Sequence, residues 1–264
     1  STAPWRYAAW QIKITIPGIK RKTNTPNPAL KYFAIEHIHS CYNAYRHIYT
    51  HGSVTSLSSA IGVWIPSTCT IISAILGHRT STTATELAAL RVAFAYILQQ
   101  PPTAWVIFTD SRAALQAINS PGSLQEQIVD DLNRLHTEAC ELRHRVVLQW
   151  LPAHCGLAGN DRAGGAARSA HGDTSLFLPL PFSRSNGARI LATKAWQMQR
   201  SLWCDPRRQY RPLFRIDPVC EFRMPRNLNR RDCNCLHRIR LDVDFTKFYL
   251  YKIGVSSSPL CPTC

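Results

Sequence analysis

Asp110 follows a run with strand preference, Trp105-Val106-Ile107-Phe108-Thr109, and precedes a helix pattern, Ser111-Arg112-Ala113-Ala114-Leu115. A junction of this kind sets an acid at the carboxyl end of a strand, where α/β sheets carry their chemistry. On this stretch alone Asp110 reads as an N-cap, accepting from the first free N–H groups of the helix. Its company changes that reading. Glu86 lies on a helix pattern just upstream, and carboxylates from such places converge to hold divalent cations. Mg²⁺ prefers oxygen ligands and keeps waters, so clustered acids around a phosphate suit it. Two ions about 4 Å apart activate a water and stabilise the leaving oxygen of a phosphodiester.

The elements that must position these acids follow from periodicity. Residues 1–43 contain Pro4, Pro17, Pro26, Pro28 and the run Lys20-Arg21-Lys22. They read as a connector with a strand-like piece over Gln11–Ile16 and a short helix over Pro28–Asn43. Strands are predicted over Arg46–His51, Ala60–Pro66 and Cys69–Leu76, close enough for an antiparallel meander. A helix over Thr83–Gln99 puts Leu87, Leu90, Phe94 and Ile97 on one face. Thr83 and Glu86 also fit a capping box, a purely local use for Glu86. The strand Ala104–Thr109 leads to a short helix, Ser111–Asn119, ended by Pro121-Gly122, and then a longer one over roughly Leu124–Arg143. Val146–Leu151 is a fifth strand, Pro152–Gly159 a loop, and Asn160–Ala170 a helix weakened by Gly164-Gly165. The order βββαβαβα gives an α/β fold with a five-stranded mixed sheet flanked by helices.

After residue 171 the texture changes. Pro179 and Pro181 mark a linker over 171–188, and 189–264 read as a small, mostly helical basic region. It has helical spacing over Arg189–Trp203, an Arg-rich tract over Arg207–Arg240 and a short helix over Phe245–Ile253.

The net charge of +15 favours a polyanionic partner, nucleic acid first. The distribution says more than the total. Residues 44–170 carry nine Arg and no Lys against eight acids, residues 1–43 six basic residues against one acid, and residues 171–264 sixteen against seven. The flanks hold the charge. Ten irregularly placed Cys do not form a small secreted disulfide scaffold, no apolar run reaches membrane-spanning length, and the N-terminus lacks a signal-peptide pattern. Reduced thiols and an intracellular setting, nucleus or cytoplasm, are expected. A start without Met and a stop inside Cys261-Pro262-Thr263-Cys264 read as a piece of something longer.

Four ordered blocks carry a resemblance: Tyr49-Thr50-His51-Gly52-Ser53, Glu86-Leu87-Ala88-Ala89-Leu90, Phe108-Thr109-Asp110-Ser111, and Trp150-Leu151-Pro152-Ala153-His154-Cys155-Gly156 with Gly159-Asn160-Asp161-Arg162-Ala163. Together they resemble a type 1 ribonuclease H across about half the chain. The connector before Tyr49, and the tail from Leu236-His237-Arg238-Ile239-Arg240-Leu241 to Cys264, resemble the polyprotein of a non-LTR retrotransposon downstream of its reverse transcriptase.

The resemblance implies a ribonuclease H-like fold over 44–170, cleavage of the RNA strand of RNA–DNA hybrids, and two Mg²⁺ held by an Asp-Glu-Asp-Asp set. Residue by residue, the first Asp of the family's Tyr-Thr-Asp-Gly-Ser falls on His51, the Glu on Glu86 and the next Asp on Asp110. The family's closing Gly-Asn-Glu-x-Ala-Asp puts Asp161 at its Glu and Gly164 at its final Asp. The family's loop His, which aids proton transfer and product release, is matched by His154. The implied catalytic residues are therefore Glu86, Asp110, His154 and Asp161, with Glu86 and Asp110 as metal ligands. Asp161 lies one helical turn before Gly164 and is a partial substitute for the missing acid. His51 and Gly164 are the departures. A His supplies one nitrogen, a poor donor to Mg²⁺, at the position that bridges both ions in the family. An inactive or very slow enzyme is expected, with fold and hybrid-binding surface retained.

Other signals are weaker. Arg207, Arg208, Arg211, Arg230, Arg231 and Arg238 are candidate phosphate contacts, with a solvated face as the competing reading. Cys261-x-x-Cys264 is half a zinc site. Cys233 and Cys235 are too closely spaced to complete it and read as free thiols. Trp196 and Trp203 pack a helical unit, and His136, His144 and His171 read as surface residues. An integrase-like nuclease is the third alternative, after an active hybrid nuclease and a decayed binding module. Integrases place their Glu after both Asp residues, whereas Glu86 precedes Asp110, which argues against it.

Overall fold

A computed structural model of the chain describes residues 7–19, 22–120, 127–172, 177–180, 184–205, 207, 217–219, 221, 225–241, 243 and 245–261. In chain order these form β1 (Gln11–Lys13), α1 (Asn27–Tyr42), β2 (Arg46–Val54), β3 (Ser59–Ile65), β4 (Thr70–Leu76), α2 (Thr82–Ile97), β5 (Ala104–Thr109), α3 (Arg112–Asn119), α4 (Gln127–Glu141), β6 (Arg145–Trp150), α5 (Ala158–Ser169), β7 (Phe177–Leu178), α6 (Arg184–Trp203), α7 (Arg230–Arg240) and α8 (Lys247–Lys252). Pro121-Gly122 and the expected start of the helix at Leu124 lie outside the described residues. The chain divides into two units, Ser1–Gly187 and Ala188–Cys264.

The first unit is built on one mixed sheet in the order β1-β6-β5-β2-β3-β4-β7. β2, β3 and β4 are the antiparallel meander, and β5 joins β2 in parallel with Thr50 opposite Thr109. That register sets the end of β5 beside the middle of β2, which runs on to Val54. β3 is buried along its whole length because helices lie against it on both sides, so it reads Ser-Ala-Ile-Gly-Val-Trp-Ile without polar alternation.

Two glycines of the meander let the helices approach. Side chains alternate across the pleat. A Cβ at Gly62 would lie 2.2 Å from the Ala163 carbonyl oxygen of α5, whereas one at Gly52 would lie 2.9 Å from the Glu86 nitrogen of α2. His51, opposite Gly62, therefore faces α5, and Gly52 faces α2.

Among the described residues the sheet has seven strands, the five expected and one more at each edge. β1 pairs in parallel with β6, Gln11 opposite Val147, and β7 pairs with β4, Ile75 opposite Phe177. Strands of three and two residues carry no readable period. The described part of 1–43 is also not a loose connector. Ile16, Ile19, Leu30, Ala34, Ile38 and Tyr42 are buried in the core, and Trp10 stacks on His136 with ring centroids 3.9 Å apart. Beyond residue 171, Leu180 is buried as well, so the described part of the expected linker is held. His136 and His144, expected at the surface, are buried, and His171 lies between the hydroxyls of Ser58 (2.7 Å) and Ser53 (3.0 Å). Burial against Trp10 and Phe94 pushes the His136 pKa down to about 4.

In the second unit, Asn229 caps α7 and Thr246 caps α8, each accepting from a backbone N–H. Trp203 donates its indole N–H to the Asp217 carbonyl at 2.7 Å, in keeping with packing, whereas Trp196, also expected to pack, is exposed. Cys233 and Cys235 sit two apart on α7, where side chains do not share a face, in keeping with free thiols. Cys264 lies outside the described residues. No helix among the described residues is long and apolar enough to cross a membrane.

Candidate active site

The site forms where β5 ends beside β2. Ser111, not Asp110, caps α3, its side chain accepting from the Ala114 N–H, so the Asp110 carboxylate is released from local duty. Likewise Ser81, not Thr83, caps α2, accepting from the same position three residues on. The capping-box role for Glu86 is thereby removed. Glu86 instead points to the end of β5, accepting from the Gly52 N–H at 2.8 Å and from the Thr109 hydroxyl at 3.4 Å.

His51, Glu86 and Asp110 converge, with one donor atom from each within 4.8 Å of the others. His51 Nδ1 lies 3.4 Å from Asp110 Oδ2 and 3.9 Å from Glu86 Oε1. Neither contact has hydrogen-bond geometry, and Nδ1 is a buried atom without a hydrogen-bond partner. The contact is therefore electrostatic. Asn160 Nδ2 donates to Asp110 Oδ2 at 3.4 Å, and Trp150 donates its indole N–H to the Asp110 carbonyl at 3.1 Å.

Two carboxylates this close and this buried do not both ionise easily. Burial, with the Asp110 charge adding, pushes the Glu86 pKa up to about 8, against the opposing pull of His51 and the two N–H and O–H donors. Burial acts upward on Asp110 too, but His51, Asn160 and nearby His154 together outweigh it. Asp110 therefore keeps its charge. It raises the His51 pKa in turn, against burial, with Glu86 adding and Arg168 opposing. The cluster therefore favours a proton on Glu86 and on the His51 ring, and a charge on Asp110.

The remaining expected residues are not among the converging donors, although His154 lies near enough to act on Asp110 by charge. His154 is exposed in the loop after β6, in the left-handed region with φ 59°. Asp161 is exposed in the first turn of α5 and is not among the converging donors. The helix turns it away and presents Asn160 on the buried side. Gly164 is buried against the site, and a Cβ there would lie 3.4 Å from His51 Cδ2 and 3.2 Å from Arg168 Nη1. Asn160, Thr109, Gly52 and Arg168 were not singled out from sequence, although the first three lie inside the blocks that carried the resemblance.

Of the candidate phosphate contacts, Arg230, Arg231 and Arg238 line one cavity of about 550 Å³ with Asn234 and Cys235. Arg207 is gripped by Asp205 through two contacts of 3.2 and 3.3 Å, so its charge is locally balanced. Arg208 and Arg211 lie outside the described residues.

Residues 43–171 match the model of the RNase H family. No curated protein matches the chain to a significant degree. This stretch, a little under half of the chain, is thus similar to RNase H domains, a family associated with RNA–DNA hybrids and divalent metals. The donors do not fit the family's pair of Mg²⁺. Such a pair needs oxygen ligands and a bridging carboxylate. His51 offers one nitrogen at that position, and Gly164 offers nothing.

Proposed function

We propose that the chain is the RNase H domain of a non-LTR retrotransposon polyprotein, binding RNA–DNA hybrid while its hydrolysis is impaired by His51 and Gly164. The observation that carries this reading is His51 Nδ1 facing Asp110 and Glu86 at 3.4 and 3.9 Å, where a family member presents a carboxylate. A ring nitrogen there is a poor donor to Mg²⁺ and brings no negative charge to hold two cations. His154 and Asp161 keep the places of the loop His and a supporting acid without reaching the cluster.

Hybrid binding is a separate property and outlasts the chemistry. Arg230, Arg231 and Arg238 on one helix offer the phosphate contacts, and Arg207, Arg208 and Arg211 extend the basic tract. The parent polyprotein supplies an upstream reverse transcriptase and an intracellular setting, nucleus or cytoplasm. The test pairs two assays on the full chain, hybrid cleavage in Mg²⁺ and hybrid binding by gel shift. Binding with negligible cleavage is expected. Robust Mg²⁺-dependent cleavage would falsify the impairment, and absent binding would remove the hybrid from the function. The second reading, a catalytically dead nucleic-acid-binding remnant, is favoured by the loss of both Asp positions at one place. It predicts that Mn²⁺ restores no cleavage either.

A further inference from the structure

His51, Glu86 and Asp110 remain a donor set, though of a different kind: one imidazole nitrogen and two carboxylate oxygens within 4.8 Å of one another. We propose that they form a site for one nitrogen-tolerant divalent transition ion of the Mn²⁺, Co²⁺ or Zn²⁺ class, in place of a Mg²⁺ pair. Bonds of about 2.1 Å place tetrahedral donors roughly 3.4 Å apart. The Nδ1 to Oδ2 separation is 3.4 Å and the Nδ1 to Oε1 separation 3.9 Å, so small rotations of the side chains close the set around an ion.

Three observations support a ligand role over a purely structural one. Nδ1 is buried with no hydrogen-bond partner and faces both carboxylates, an arrangement that leaves its lone pair or its proton unsatisfied until something sits between them. Both carboxylates are held by outside donors, Glu86 by Gly52 and Thr109, Asp110 by Asn160, as metal-ligating carboxylates are oriented. Imidazole with carboxylates suits Mn²⁺ and the later ions, whereas Mg²⁺ prefers an all-oxygen shell. Three protein ligands leave open positions for water or a phosphate oxygen. The ion competes with a proton for the same site, so affinity rises with pH.

The inference rests on the donor set and needs no nucleic acid, so its failure is separable from that of hybrid binding or cleavage. Ten cysteines would compete for Zn²⁺ or Co²⁺, which makes Mn²⁺ the probe. Free Mn²⁺ is titrated against the full chain by electron paramagnetic resonance, and the bound ion is examined for ¹⁴N coupling in its spin echo. One Mn²⁺ per chain with nitrogen coupling is expected, not displaced by an equal concentration of Mg²⁺. His51→Ala should remove the coupling and weaken binding roughly tenfold or more, since even a supporting partner of a ligand is worth that much. Glu86→Gln, close in shape to the protonated carboxyl, should weaken binding while melting as the parent does near pH 6, where Glu86 holds its proton. No bound Mn²⁺, bound Mn²⁺ without nitrogen coupling, coupling that survives His51→Ala, or equal displacement by Mg²⁺ would each overturn the proposal.

Discussion

Gly164 lies directly against the His51 ring: a Cβ at Gly164 would sit 3.4 Å from Cδ2 and 3.7 Å from Cγ. His51 on β2 and Gly164 on α5, the two positions proposed above to stand in for family acids, are thus neighbours in space. An imidazole is bulkier than a carboxylate, and a residue without a side chain opposite it gives the ring room. The Arg168 guanidinium fills the other side of the same space, 3.2 Å from the Cβ position. The His51 ring and the Arg168 guanidinium thus share the space that Gly164 leaves open.

Stability should fall as pH rises from neutrality. Glu86 has a folded pKa of about 8 against 4.5 for the free side chain, so the folded state binds more protons between those values and loses stability as pH rises through them. His51 acts in the same direction, because its raised pKa gives stability that is full below 6.5 and lost as pH climbs through the folded value. Asp110, with a lowered pKa, and buried neutral His136 both lose stability on the acid side. Between pH 4.5 and 6.5 the loss at Glu86 is opposed by the gain at His136, so urea unfolding should show a plateau there and a fall above pH 6.5. Glu86→Gln should flatten the alkaline limb between pH 6.5 and 8.5, a difference on the order of 1–3 kcal/mol. An unchanged slope would mean that Glu86 titrates normally.

Two glycine substitutions should have opposite signs. Gly62→Ala places a methyl against backbone atoms of α5, 2.2 Å from the Ala163 oxygen and 2.5 Å from the Ala167 nitrogen, which cannot yield without moving the helix. A loss of about 1–3 kcal/mol is expected. Gly165→Ala meets nothing within 4 Å in the middle of α5 and should gain about 0.5–1 kcal/mol from helix propensity. Chemical denaturation of the two variants decides it. A destabilising Gly165→Ala would show that α5 is not a regular helix at that point.

The sheet's central strands were legible because β2, β3, β4, β5 and β6 are long enough for hydrophobic runs to show, and the four blocks fixed their order. The edges were not. β1 and β7 are too short to carry a period, and the proline-rich first 43 residues concealed six core side chains from Ile16 to Tyr42. Helix spacing on α1 was readable, its burial was not. Leu30→Ala should accordingly cost about 2–5 kcal/mol in thermal or urea melts, as a fully buried Leu does. At the site, Glu86 and Asp110 were legible from the blocks, whereas the exposure of Asp161 depends on how α5 rotates. Its neighbour Asn160, one step away in sequence, is the residue that reaches Asp110.

Hybrid binding should depend steeply on salt. Each phosphate neutralised by an Arg releases counterions, so log affinity falls with log salt by roughly 0.7–0.9 per contact. Replacing Arg230, Arg231 and Arg238 together by Gln should lower that slope by roughly two to three and weaken binding at low salt. Arg207→Gln should change it least, because Asp205 already balances that charge. A slope that survives the triple replacement would move the phosphate contacts to another surface.

The chemistry should return through His51 first. His51→Asp places an oxygen donor facing Glu86 and Asp110 where the ring nitrogen stood, so Mg²⁺-dependent hybrid cleavage should rise by roughly tenfold or more, about 1.4 kcal/mol in the barrier. Gly164→Asp alone should do nothing for cleavage. Its Cβ presses on the His51 ring, and its carboxylate pairs with Arg168 one turn along α5. In the His51→Asp background the ring is gone, and the same substitution should add activity. The double-mutant cycle should therefore show coupling, with the two together exceeding the sum of the singles in log rate. Asp110→Asn in the double revertant should abolish the gain, since it keeps shape and removes charge. Strict additivity would mean that the His51–Gly164 contact has no bearing on function, and a silent double revertant would place the defect outside the acidic cluster.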